Sequence, residues 1–196
     1  DIILFFMLKI AHHQIYKHPL PANHRFPMDK YDLLPQQLIH EGTCVVDNFF
    51  EPEIPNDKYF FNVHDPDYFY DLLNITLSKK AERKIGFPLT EQLIAREMII
   101  ADGTMKASEF AIESGIAMNI AGGTHHAFSD RGEGFCMLND QAIGARYLQQ
   151  KGLANKILIV DLDVHQGNGT AEIFKEDTSV FTFSMHGKAN YPFEKE

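Results

Sequence analysis

The stretch "KILIVDLDVHQGNGT", residues 156–170, passes from an unbroken apolar run into three ionisable residues separated by single apolar ones. Along an extended strand, residues i, i+2 and i+4 share a face. Asp161, Asp163 and His165 are therefore expected in one row, with neighbours roughly 6.5–7 Å apart. Two unpaired carboxylates held close would repel, and one would tend to keep its proton. A divalent cation or a positively polarised histidine removes that conflict. A catalytic zinc takes about three protein ligands and leaves a position open for water. One aspartate and one histidine supply two of these, so a third must come from elsewhere. Gly167-Asn168-Gly169-Thr170 then makes the turn into a helix.

Working outward, the elements around this strand alternate. "NDQAIGARYLQQKG" (139–152) reads as a helix capped by Asn139 or Asp140 and stopped at Gly152. A helix from Thr170 and the strand "SVFTFSMH" (179–186) follow. Strand, helix and strand with continuous apolar strands predict a parallel βαβ architecture covered on both faces. Working residues in such sheets sit at the carboxyl ends of strands.

Upstream, a strand is expected around Ile3–Ala11, a short helix near Lys30–Leu34 and a strand over "CVVDNFF" (44–50). Asp65-Pro66 signals a helix start. Residues 90–120 predict two helices broken near Asp102-Gly103, with Thr90 as N-cap of the first. No repeat or linker divides the chain, which predicts a single domain over 1–196.

"AGGTHHAFSDRGEGFC" (121–136) supplies a second set of chemical groups. Gly122 and Gly123 permit close backbone approach, and His125-His126 places two imidazoles on one loop, suited to proton transfer near neutrality. An adjacent pair of histidines alone is more often a surface feature, and His12-His13 is read that way. The glycines before 125–126 and "GF" after them, in the same fold as a metal motif, mark this pair as functional.

The composition excludes several classes. Apolar residues are 44% and charged residues 23% of the 196, an ordinary globular balance. The net charge of -9 argues against general nucleic-acid binding and favours a cationic substrate. Two cysteines, Cys44 and Cys136, are too few for a disulfide framework and read as free thiols in a reducing, cytoplasmic setting. "DIILFFMLKI" is too short to span a bilayer and lacks the features of a signal peptide. Lys79, Lys80, Arg83 and Lys84 read as a solvated helix face.

Together, "GGTHHAFSDRGEGFCMLND" and "ILIVDLDVHQGNGT" resemble the zinc-dependent histone deacetylase family of the arginase/deacetylase superfamily. "SDRG" before "GFC" and "DLDVHQGNG" are most similar to class IV enzymes and their bacterial relatives. The match is strong over 121–192, and "NHRFP" (23–27) and "HDPDYFYDLL" (64–73) extend it loosely. The resemblance implies a three-layer αβα fold around a mainly parallel sheet, lacking its C-terminal part. It implies His126 as general base, His125 as its partner, Asp161 as the acceptor for His125 and Asn168 as the partner of His126. Some relatives carry aspartate where Asn168 stands, so His126 is expected to be less basic here. Asp163 and His165 match two zinc ligands. Gly134 and Phe135 match the walls of a tunnel for the acyl-lysine stem. Asp161, Asp163, His165, Ser184 and Met185 match a structural potassium site.

The family's third zinc ligand, an aspartate, and its oxyanion-stabilising tyrosine come from downstream of the "YPF" at 191–193, and the chain ends at Glu196. Asp177 precedes the next strand and is a poor substitute, and Tyr191 matches a different tyrosine. The expectation is the N-terminal and central portion of an amidohydrolase that removes acetyl-type groups from lysine side chains, in proteins or peptides, or from polyamine-like amines. The alternative is a non-catalytic deacetylase-like binding or assembly module, self-associating through an incomplete sheet edge. A two-manganese ureohydrolase would want more aspartates around the metal row than this sequence has.

Overall fold

A computed structural model describes residues 7–196, so residues 3–6 of the strand expected at Ile3–Ala11 lie outside the described residues. Its remainder forms β1 (Lys9–Ala11), at the centre of a parallel group with β2 (Phe49–Phe50) and β3 (Ala117–Asn119). A second parallel group pairs β4 (Ile157–Asp161) with β5 (Val180–Ser184). Every strand pair among the described residues is parallel.

The helices are α1 (Lys30–His40), α2 (Pro66–Leu73), α3 (Lys79–Ile85), α4 (Glu91–Ser114), α5 (Asp140–Gln150) and α6 (Asn168–Phe174). Their starts follow the local chemistry. Asp65 caps α2 through the Asp67 N–H at 2.8 Å, Thr90 caps α4 through Leu93 N–H at 3.1 Å, and Asn139 caps α5 through Ala142 N–H at 3.0 Å. Of the two caps expected for α5, Asn139 fills the position and Asp140 becomes its first helical residue.

Three expectations need correction. Residues 90–120 hold one 24-residue helix rather than two, followed by β3. Asp102-Gly103 does not break α4, because Gly103 sits on its buried face. A Cβ there would lie 2.6 Å from the Tyr16 hydroxyl and 3.1 Å from the Ala11 Cβ, so glycine lets the helix settle against β1. In 44–50 only Phe49–Phe50 is extended; Val46–Asn48 forms a 3-10 turn held by Asn48 accepting from Val45 N–H at 2.8 Å. The helix near Lys30–Leu34 runs on to His40 with Pro35 inside it.

The core packs α4 and α5 against the strands around Tyr16, Phe60, Phe69, Leu93, Ile100 and Met105. Cys44 and Cys136 are free and buried. The β4–β5 pair is covered on one face only among the described residues. Ile159, Asp161 and Val180 point inward, whereas Leu158 pairs with Phe181 and Val160 with Phe183 on an exposed apolar face. Both-sided covering, expected from the apolar runs, is therefore not found for this pair. No described helix is long and apolar enough to cross a membrane.

Candidate active site

β4 ends at Asp161, and the row expected to continue through His165 does not stay extended. The chain curls through two side-chain-closed turns. Asp161 Oδ1 accepts from Asp163 N–H at 2.9 Å, and Asp163 Oδ1 accepts from His165 N–H at 2.7 Å. This curl brings Asp163 Oδ1 within 3.0 Å of His165 Nδ1. Two ligands of a tetrahedral zinc with bonds near 2.0 Å stand roughly 3.3 Å apart. The pair thus fits one edge of such a site. Among the described residues no group of three His, Cys, Asp or Glu comes together that could hold a metal ion. Two donors fit; a third is not among them.

The tandem histidines enter from the other side. Their loop is held by Asp140, whose carboxylate accepts from the N–H groups of Gly123 (2.9 Å) and Thr124 (2.7 Å) and from the hydroxyls of Thr104 and Thr124 (both 2.6 Å). A Cβ on Gly122 would lie 2.7 Å from that carboxylate, which is why glycine stands there. Asn139 Nδ2 donates to the Ala127 carbonyl and to Thr170 Oγ1, both at 3.0 Å, tying the loop to α6. Behind Asn139, its N–H donates to His64 Nε2 at 3.0 Å. Burial pulls the His64 pKa down to about 4, so this ring is neutral and accepts.

Both histidines then meet their partners. His125 Nδ1 lies 2.6 Å from Asp161 Oδ2, and His126 Nδ1 lies 2.7 Å from Asn168 Oδ1. All four residues are buried. Asp161 feels burial pushing its pKa up, but the His125 hydrogen bond and the Asp163 N–H outweigh it and leave the carboxyl below its ordinary value. Burial, reinforced by His125, pulls His126 down to about 4. His126 is a neutral imidazole near pH 7. Since Asn168 Oδ1 accepts at Nδ1, its Nε2 is left with the free lone pair. Gly167 and Gly169 make the approach possible: a Cβ at 167 would land on the Asp161 carboxylate, and one at 169 on the Ala127 carbonyl group.

A cavity of about 550 Å³ opens over this arrangement, lined by His126, Gly134, Phe135, His165 and Tyr191 among others. Gly134 (φ 53°) and Phe135 (φ 69°) are both left-handed, in a tight turn pinned to the end of α3 by Gly134 N–H to Lys84 O (3.0 Å) and Phe135 N–H to Ile85 O (2.7 Å). A Cβ on Gly134 would lie 2.7 Å from the His126 ring. Phe135 packs with Phe26 and Phe87 at 5.2 and 4.9 Å between ring centres.

Tyr191 and Lys84 at this cavity, and Glu133 beside them, make contacts that the sequence does not announce. Tyr191, set aside in the sequence reading, stands edge-on to His126 at 4.9 Å and donates its hydroxyl to Glu133 Oε2 at 2.7 Å. That hydroxyl is committed to Glu133 rather than aimed at a reacting carbonyl. Glu133 also accepts from Lys84 Nζ and Arg131 Nε, both at 3.2 Å. Lys84, read as part of a solvated helix face, lines the cavity. The contacts of Glu133 with Lys84 and Tyr191 span 49 and 58 residues, so no local pattern announces them. Asp177 is engaged elsewhere, by Ser179 and by Arg146 at 2.6 Å. Of the residues matched to a potassium site, Asp161 stands opposite Ser184 across the sheet, and its carbonyl accepts from Met185 N–H at 3.0 Å, as strand pairing requires.

Comparison with known proteins supports the fold. Residues 24–196 match the histone deacetylase domain family. An uncharacterized protein of Picosynechococcus sp. is 46% identical over 187 residues, covering 95% of this chain and 62% of that protein. Histone deacetylase 2 of Arabidopsis thaliana is 27% identical, and acetoin utilization protein AcuC of Staphylococcus aureus (strain MSSA476) 29%, each covering 87% of this chain and 46% of its own. The crystal structure of an HDAC homolog from Aquifex aeolicus superposes with a TM-score of 0.83 at 28% identity, over 96% of this chain and 54% of that one. The same figures hold for the structure of an HDAC homolog complexed with SAHA. The fold is the α/β arrangement of these structures, a mostly parallel central sheet flanked by helices. The chain spans about half to just under two thirds of the length of the relatives it matches.

Proposed function

This chain belongs to the histone deacetylase family, and from that premise we propose that its residues form, within one domain, the proton-handling and substrate-gripping part of a deacylase site. The substrate class is an acylated amine, an acyl-lysine or a polyamine-like amine. The observation that carries this reading is the joint geometry of the two histidines, each tied through Nδ1 to a residue of the β4–α6 segment, and both lining one small cavity with Asp163 and His165.

In this reading His126 Nε2 takes a proton from the attacking water, since its other nitrogen is held by Asn168. The Asp161 carboxylate fixes the His125 ring and balances positive charge on it when it hands a proton to the leaving amine. Phe135 and Gly134 flank the acyl-lysine stem and keep water from its methylenes. Asp163 and His165 would hold a zinc ion, which supplies Lewis-acid polarisation of the amide carbonyl when bound. The potassium grouping at Asp161, Ser184 and Met185 is proposed as structural support for the same strand end. The likeness of "SDRG" and "DLDVHQGNG" supports a class IV-type relationship, and two free cysteines support a cytoplasmic setting.

Two donors hold zinc weakly. For these 196 residues acting alone, the better-supported reading is therefore a deacetylase-like module that binds acylated amines without hydrolysing them; the lack of a third donor among the described residues favours it. The test compares this chain with one extended to the length of its relatives, for bound zinc and for fluorophore release from acyl-lysine peptides. Zinc and turnover in the long form only are expected. No zinc and no turnover in either would leave the module reading alone standing.

A further inference from the structure

The charge at the cavity mouth is opposite in sign to that of the chain. The net charge is -9, yet the Lys, Arg, Asp and Glu residues that line the 550 Å³ cavity are Arg25 and Lys84 only. The Arg25 guanidinium is exposed and lies 5.0 Å over the Phe135 ring. Lys30 joins them from α1, its ammonium 4.8 Å over the Phe26 ring; the acids nearest it in sequence, Asp29 and Asp32, are taken by Lys17 at 3.0 and 2.7 Å. Two carboxylates face this collar. Glu133 is shared by Lys84 and Arg131, and Asp163, beside His165, also acts on Lys30. Arg25 and Lys30 have no carboxylate within ion-pair distance among the described residues, so an excess of positive charge rings the mouth.

Resting on the acyl-amine reading above, we propose that the acylated amine this cavity takes is flanked by carboxylates, as in an acidic peptide segment, and not by the cationic flanks of a polyamine or a lysine-rich tail. The reach is right. Arg25, 5.0 Å over the Phe135 ring, stands beside the wall along which a stem would pass. This reverses, at the site, the preference for a cationic substrate that net charge alone suggests. A positive charge without an ion-pair partner about 6 Å from a carboxylate, as Arg25 would be in this partly solvated mouth, contributes on the order of 1 kcal/mol at low salt, and Lys30 adds a smaller part.

The test is fluorescence anisotropy of the 196-residue chain with labelled peptides carrying one Nε-acetyl-lysine between acidic or between basic flanks, each with an alanine-for-acetyl-lysine counterpart. The acidic acetyl peptide is expected to bind about tenfold tighter than the basic one at about 0.02 M salt, with the preference shrinking towards about 0.5 M. Arg25→Glu is expected to remove most of that preference. Competition by free Nε-acetyl-lysine but not by N-acetylcadaverine would assign the carboxylate to an amino acid rather than a peptide flank. Acetyl-dependent binding with equal affinity for both flanks, or tighter binding of the basic peptide, overturns this inference and leaves the acyl-amine reading intact. Binding that ignores the acetyl-lysine altogether overturns both.

Discussion

The two walls of the candidate site are built differently. The histidine wall is buried, and each of its groups is fixed by a residue far away in sequence: His125 by Asp161, His126 by Asn168, their loop by Asn139 and Asp140. The opposite wall, Asp163 and His165, is about half exposed, 51% and 43% at the side chain, and held by turns two residues long. A buried network of satisfied hydrogen bonds is preorganised by folding. An exposed local turn is not, and gains rigidity only from what it binds. In the proposed reading the histidine wall is thus fixed by folding alone, while metal holding at Asp163 and His165 would depend on a further ligand.

The contrast can be broken, and the largest break lies in chemistry. In a chain extended to the length of its relatives, His126→Ala should lower turnover on the order of a thousandfold or more while bound zinc is kept. Undiminished turnover would remove His126 as the base. Next comes stability of the buried wall. Gly169→Val places a branched side chain where a Cβ already lies 2.6 Å from the Ala127 carbonyl carbon, and should cost about 3 kcal/mol or more by urea denaturation. Asn139→Ala removes three hydrogen bonds from a fully buried residue and should cost about 2 kcal/mol by the same measurement.

Acid should act on the same wall through His64. Its folded pKa near 4 lies below the ordinary value of 6.5, so between those values the unfolded chain binds the proton and the folded one does not. Stability should be full above pH 6.5 and fall as pH drops towards 4, by at most about 1.4 kcal/mol per pH unit. His64→Gln should flatten that slope in urea titrations at stepped pH; an unchanged slope assigns the acid sensitivity to other groups. The smallest effect belongs to the exposed wall. Asp163→Ala should shift unfolding by no more than about 0.5 kcal/mol and yet abolish zinc uptake in the longer chain, read by calorimetry and metal analysis. A large loss of stability there would erase the distinction between the walls.

The same distinction governs what was legible in the sequence. The alternation at 161–165, the histidine pair and the glycines of "QGNG" are local signals for local needs, and they located the strand end and the loop; that the two meet followed only from the resemblance of both motifs to one family. Asp102-Gly103 misled because the dipeptide that opens a turn also serves a helix needing to lie close to Tyr16 and Ala11; only tertiary packing separates the two. The strand expected over 44–50 shrank for a similar reason, an asparagine side chain closing a turn that apolar content does not reveal. The tie between Tyr191 and Glu133 left no mark in the sequence, because a contact across 58 residues has no periodicity. Lys84 looked like any solvated helix lysine until the Gly134-Phe135 turn docked beside it.

The apolar ladder on the outer side of β4 and β5, with Phe181 68% and Leu158 61% exposed, has a practical corollary for the bench. Dyes such as anilinonaphthalene sulfonate brighten wherever such surface is open to them. Native preparations of this chain should therefore fluoresce with the dye as strongly as partly melted proteins usually do, and circular dichroism of the aromatic region is the safer gauge of whether a sample is intact.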